Sequence, residues 1–346
     1  MHLIDETNVL TYLADRGRIS DPSQATAAFL SGGVSNVVLR ISPGGDQPNF
    51  IVKQVREQLR TPDPWFSRPA RIFNEIEVLK ILADILEPGT VPLILFEDRD
   101  NFLFAMQAVP ADHHVWKAQL LRGETDLEIS RRLGAILATV HRETWGDESV
   151  AARLGDLTMF DELRLDPYYR RLWRDHPDDR DPLQRLIEDP HHNRSCLVLG
   201  DFSPKNILVH SQGITVVDFE TGHYGDPAFD LGFFLSHLFL KTLLHADQSA
   251  LYLGLIATFL ESYDFTHHEP GETGRKLTAD ERRGVERRGI LHLAGCIWAR
   301  IDGTSRIDYL DDPFRSRARN FARELLNSPP PDWPATLDRF LSTSLE

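Results

Sequence analysis

Residues 197 to 232 read LVLGDFSPKNILVHSQGITVVDFETGHYGDPAFDLG, and no other stretch constrains the fold as tightly. Four aspartates, a glutamate and an asparagine stand there between short apolar runs. Runs of that length suit buried strands rather than helices. Asp201 and Asn206 flank Ser203-Pro204-Lys205, a loop leaving one such strand and entering the next, and Asp218 closes the strand that follows. A carboxylate and an amide at neighbouring strand ends suit magnesium, which prefers hard oxygens and the phosphates of a nucleotide. The other aspartate is then left to orient an attacking hydroxyl. Taken singly, each Asp and Asn also reads as an ordinary turn former.

Upstream, the pattern is strand, glycine turn, strand over 27–42, then the turn PGGDQ, then the strand FIVKQV over 50–55. The SGGVSN turn is either a plain hairpin or a place where free N–H groups meet a phosphate. Lys53 sits among Ile51, Val52 and Val55. It is either a buried cation that needs an anion, or an edge-strand lysine facing water. Residues 68–86 carry Ile72, Ile76, Leu79, Ala83 and Leu86 on one helical face, with Glu75 as a possible partner for that lysine. A strand pair follows around the turn 98–101. Residues 1–20 read as a short amphipathic helix.

Beyond Pro110 the pattern turns helical. Leu133, Ile136, Leu137 and Val140 share a face over 126–145, and Thr278 with Glu281 signals a capped helix that Gly303 closes. The polar stretch 266–276 reads as an exposed loop, and the apolar run 231–244 as a buried helix too short and interrupted to span a bilayer. The expected architecture is α+β in two lobes: a nucleotide-binding lobe over 1–109, with a small antiparallel sheet and one long helix, and a mainly helical catalytic and substrate-binding lobe over 110–346.

The order glycine turn, lysine strand, glutamate helix, D-x4-N, D-x-E resembles the protein-kinase-like fold. Within it, the chain resembles the aminoglycoside phosphotransferase and choline kinase group of small-molecule kinases. The matching segments are Gly32-Gly33-Val34-Ser35-Asn36, Leu199-Gly200-Asp201 through Asn206, Asp218-Phe219-Glu220, and Gly225-Asp226-Pro227 through Asp230-Leu231. The resemblance implies that Gly32, Gly33, Ser35 and Asn36 cover the nucleotide phosphates and that Lys53, steadied by Glu75, holds them. Asp201 would take or orient the acceptor proton. Asn206 and Asp218 would ligate Mg2+, with Glu220 at a second ion. Residues 104–109 would form the lobe hinge, where Met106, Gln107 and Val109 meet the adenine of ATP over an apolar floor of Leu208 and Val217. Asp230 would brace the catalytic loop.

One departure stands out: Leu199 replaces the histidine that the group carries before Gly-Asp. It is the sequence support for a rival reading, a non-catalytic nucleotide-binding pseudokinase module. A protein kinase is disfavoured because only Thr221 to Tyr224 separate the metal motif from Gly225-Asp226-Pro227. The segment Ala299-Arg300-Ile301-Asp302-Gly303 is distantly similar to one in methylthioribose kinases, which makes Arg300 a substrate candidate. An arginine answering the helix dipole is the alternative.

The acceptor is therefore expected to be a small hydroxylated molecule: a sugar, an amino alcohol or an aminoglycoside-like compound. A net charge of −14 argues against general nucleic-acid binding and would suit a cationic substrate. Two cysteines without paired spacing fit a reducing compartment. No basic n-region precedes an apolar stretch at the N-terminus. A cytoplasmic protein without membrane partners is the expectation; composition sets no oligomeric state.

Overall fold

The computed structural model describes residues 2–30, 36–56, 68–268 and 277–345. The chain divides into two compact units, one of Met1–His113 with His210–Glu220, the other of His114–Val209 with Thr221–Glu346.

In the first unit, β1 (Thr26–Phe29), β2 (Asn36–Ser42), β3 (Phe50–Val55), β4 (Ile94–Asp98) and β5 (Leu103–Gln107) form an antiparallel sheet ordered β1-β2-β3-β5-β4. The alternation along β3 gives its two faces different work. Phe50 and Val52 join Val37, Leu39, Ile41, Leu103 and Ala105 in one apolar cluster, closed by Val9, Tyr12 and Leu13 of helix α1 (Val9–Asp15). The opposite face carries Lys53. Central placement in the sheet answers the question left open by the sequence: this lysine is on no edge.

Helix α1 is shorter than the span expected over 1–20. Gly17 ends it at φ 64°, its N–H donating to Ala14 O while Arg18 N–H donates to Leu13 O. That double bond is the Schellman closure, which favours glycine. Helix α2 (Arg71–Ile85) buries Ile72, Ile76 and Leu79, with Ala83 and Leu86 half-buried where the helix runs out.

The second unit is helical around short strands. The helix Leu127–Glu143 packs on Ser249–His268, and the helix Pro227–Leu244 on Ala279–Asp302. Pro227–Leu244 is buried on every side, mostly through apolar residues but with Asp230, His237 and Lys241 buried among them. It is long and apolar enough to cross a membrane, but 94% of it is covered by the protein itself. The capping box is present: Glu281 N–H donates to Thr278 Oγ1 at 3.2 Å, and Thr278 N–H to Glu281 Oε2 at 2.8 Å. Residues 266–268 of the loop expected over 266–276 belong instead to the helix from Ser249, which runs to His268, and 269–276 lie outside the described residues.

Candidate active site

In the first unit, β3 and α2 bring Lys53 and Glu75 together in the interior, 4% and 1% exposed. Lys53 Nζ lies 2.7 Å from the Glu75 carboxylate and 2.7 Å from Asp218 Oδ1. Burial would lower the lysine pKa, but Asp218, Glu75 and Glu220 outweigh it and hold Lys53 above the ordinary lysine value. Burial, with Asp218 and Glu220 nearby, holds the Glu75 carboxyl above its ordinary range despite Lys53. At these distances the group is an ionised lysine shared by two carboxylates. Asp218 adopts φ 73°, a left-handed conformation that costs a non-glycine residue about 1 kcal/mol or more. The backbone strain sits on the residue whose carboxylate meets the lysine, and strain of this kind is what makes the cluster a candidate site.

Glu220 is engaged elsewhere. Its carboxylate accepts from fully buried Arg71 Nε at 3.0 Å and from Asn36 Nδ2 at 3.1 Å. Arg71 also reaches Asn36 Oδ1 and Arg56 O, and Asn74 Nδ2 donates to Glu220 O. Two residues read from sequence as ion and nucleotide contacts, Glu220 and Asn36, are thus joined in a network through Arg71, an arginine without a local sequence signal. Gly32, Gly33 and Ser35 lie outside the described residues.

Strand register sets Lys53 opposite Phe104 and Ile51 opposite Met106, so these four side chains share a face. Met106 is buried, Gln107 exposed, Val109 and Val217 half-buried. The Gln107 N–H already donates to Leu93 O at 2.9 Å and so offers no free donor to an adenine.

In the second unit, the Asp201 carboxylate is 7% exposed, held by Arg164 Nη2 at 3.0 Å and Lys205 Nζ at 2.8 Å. Asn206 Nδ2 donates to Asp201 O at 3.0 Å, leaving the amide oxygen as the end outside that bond. Asp230, fully buried, accepts from Leu199 N–H at 2.7 Å and Gly200 N–H at 2.8 Å, and meets His141 Nε2 at 3.2 Å. Arg164 Nε donates to Gly200 O at 2.6 Å. Gly200 has φ 71°, and a Cβ there would lie 2.8 Å from Thr221 O, so the position favours glycine twice over. Asp230, His141 and Arg164 hold the loop without a histidine at 199. Burial pushes nearby His223 down to about 4, so it packs on Phe160 as a neutral ring.

Leu208 is half-buried, on a strand paired opposite Val115. Arg300 Nη1 donates to Ser305 Oγ at 2.7 Å and Tyr168 Oη at 3.3 Å. Arg164 gave no sequence signal, because it lies in the π-helical stretch Asp161–Arg170 around Pro167, where neither helix nor strand periodicity applies. Lys241 and His237 had a signal: they are the two basic side chains in a run that is otherwise apolar apart from Ser236 and Thr242.

Among the described residues no three His, Cys, Asp or Glu side chains converge as a metal cluster. Magnesium held chiefly by nucleotide phosphates needs only one or two protein oxygens, and Asp218 and Asn206 have the hard-donor chemistry for that. Glu220 has that chemistry too, but its Oε2 is already shared by Arg71 and Asn36.

The sequence profile of APH, the phosphotransferase enzyme family, matches residues 26–269. Methylthioribose kinase of Yersinia pseudotuberculosis is 23% identical over 267 residues, covering 69% of this chain and 65% of that protein. The Erwinia tasmaniensis methylthioribose kinase is 24% identical over 263 residues, again 65% of its length. Among solved structures, amicoumacin kinase in complex with AMP-PNP and Ca2+ superposes with TM-score 0.56 at 16% identity, covering 95% of each chain. Choline kinase of Cryptosporidium parvum gives 0.55 at 10% identity, covering 99% of this chain and 98% of that one. These likenesses show the α+β protein-kinase-like fold.

Proposed function

Since the chain belongs to the APH phosphotransferase enzyme family, we propose that it transfers the γ-phosphoryl group of ATP to a hydroxyl of a small molecule. The observation that carries this reading is the buried lysine between two carboxylates, Glu75 and Asp218. A lysine held above its ordinary pKa stays charged and presents a fixed ammonium to phosphate oxygens. Glu75 keeps its place; Asp218 and Asn206 are assigned as ligands of Mg2+. The ion supplies charge neutralisation at the phosphates. Asp201 orients the acceptor hydroxyl and takes its proton, while Arg164 and Lys205 fix the carboxylate. The acceptor oxygen forms a bond to the γ-phosphorus as the bond to the β,γ-bridging oxygen breaks, and ADP leaves with that electron pair. Alignment and charge neutralisation are most of what such a reaction asks of a protein.

Two of the similar proteins act on charged or sugar-like alcohols, namely choline and methylthioribose. A panel of sugars, amino alcohols and aminoglycosides is therefore the first substrate set. ADP release from MgATP should depend on an acceptor in the wild type and fall about a thousandfold or more in Asp201→Asn. ATP binding without acceptor-dependent turnover of any panel member would favour the non-catalytic module instead.

A further inference from the structure

Resting on that reading of Asp201, we propose that the second unit recognises an acceptor that carries its own negative charge, a hydroxylated carboxylate or phosphate monoester. On the helix Pro227–Leu244, Phe233, His237 and Lys241 fall at i, i+4 and i+8, a single row. Lys241 is 1% exposed, with its Nζ donating to His237 O at 3.3 Å and lying 5.5 Å from the centre of the Tyr309 ring. Arg300, on the helix Ala279–Asp302, and half-buried Lys117 act on it electrostatically. Among the described residues, no carboxylate comes within ion-pair distance of Lys241 or Arg300. Exposed Asp308 acts on Lys117, and Asp201 on Arg300.

Buried polar atoms accompany these cations without partners: Arg300 Nε, His237 Nε2 and Tyr309 Oη. A group of this kind is costly when left unsatisfied, so native interiors rarely keep several together without a purpose. Burial, with Arg300 and Lys117, pulls the Lys241 ammonium down to about 7, as expected of a cation whose counter-charge is missing. The cluster continues to the proposed catalytic loop. Arg164 binds Asp201 and lies 5.3 Å from the Phe233 ring, which neighbours both His237 and Tyr168, the hydroxyl bonded by Arg300. An anion on Lys241 and Arg300 would complete these donors and present an attached hydroxyl toward Asp201. Choline or an aminoglycoside would instead add positive charge to a surplus.

The test uses matched alcohols at equal ionic strength: glucose, gluconate, glucose 6-phosphate and glucosamine, with the corresponding glycerol series. ADP release is measured for wild type, Lys241→Met and Arg300→Gln, and each alcohol's effect on the melting temperature is recorded with MgADP present. The expectation is a kcat/KM for one anionic member about tenfold to a hundredfold above its neutral partner, a preference that either variant removes. Carboxylate and phosphate are told apart by which member responds. Equal or better turnover of the neutral or ammonium alcohol overturns the proposal. So does an equal loss for every acceptor in the variants, which would put the cations on the transferred phosphoryl group. Should no acceptor turn over, the function proposed above fails while the melts still decide this one. Anion-specific stabilisation lost in Lys241→Met supports it, and stabilisation no greater than by the neutral alcohol overturns it.

Discussion

Lys53 and Lys241 are both buried lysines, 4% and 1% exposed, and their surroundings are opposite. Two carboxylates sit 2.7 Å from Lys53, whereas the charged neighbours acting on Lys241 are Arg300 and Lys117. One lysine is therefore held above its ordinary pKa and the other below it. A buried charge is tolerated only when something answers it. The first is answered within the chain, which fixes the ammonium where the proposed phosphate contact needs it. The second has no answering carboxylate among the described residues, and the missing charge is best supplied by a ligand.

The sharpest way to break this contrast is to delete the first lysine. Lys53→Met leaves Glu75 and Asp218 facing each other without a cation, which should lower stability by about 3–5 kcal/mol. The double variant Lys53→Met/Glu75→Gln should recover part of that loss. Chemical denaturation measures both. A Lys53→Met protein as stable as the wild type would mean that the carboxylates do not depend on the lysine, and the contrast would go with it.

Titration separates the two regions by a different route. The second unit keeps buried bases neutral: His223 is pushed down to about 4 and His292 to about 3 by burial. A folded-state value below the ordinary 6.5 means the unfolded chain takes up the proton first as pH falls. The stability is present above about pH 6.5 and lost as pH drops toward 4, by roughly 3 kcal/mol for His223. Amide exchange around Cys196–Val198 and His223–Gly225 should accelerate through that window, and His223→Gln should flatten the dependence. An unchanged slope in the variant would remove His223 from the account.

How much of this was legible differs from residue to residue for physical reasons. Strand β3 and the capped helix Ala279–Asp302 are visible because alternation and the Thr278–Glu281 pair are local signals. The possible burial of Lys53 is visible for a similar reason, being a charge within six residues of strand. Arg71 on Glu220 and Arg164 on Asp201 are not, since those pairs join residues 149 and 37 positions apart, and no periodicity announces them. Helix α1 reads too long because its end depends on Gly17 and two backbone bonds rather than on the apolar pattern. Lys241 lies between these cases. Its place in LGFFLSHLFLKTLL allows the same argument as Lys53, but its neighbours Lys117 and Arg300 come from distant segments, so the sequence does not reveal that the charge goes unanswered.

The smallest effect expected from the comparison is also the one whose sign matters most. Removing an answered buried charge destabilises; removing an unanswered one relieves desolvation and repulsion from Arg300 and Lys117. Methionine matches the lysine stem in length and suits the apolar helix Pro227–Leu244. Lys241→Met should therefore raise stability, by about 1–2 kcal/mol, in ligand-free protein. The gain should shrink at low pH, where the wild-type lysine is charged in the unfolded and folded chains alike, only if an anion is bound to it. Without an anion, acid should enlarge the gain, because protonating Lys241 in place costs the wild type and leaves the variant untouched. Melting curves at pH 6 and pH 8, in chloride and with gluconate or glucose 6-phosphate, read both sign and trend. A Lys241→Met protein less stable than the wild type in ligand-free buffer would show that the second lysine is answered after all, and the two buried lysines would then be alike.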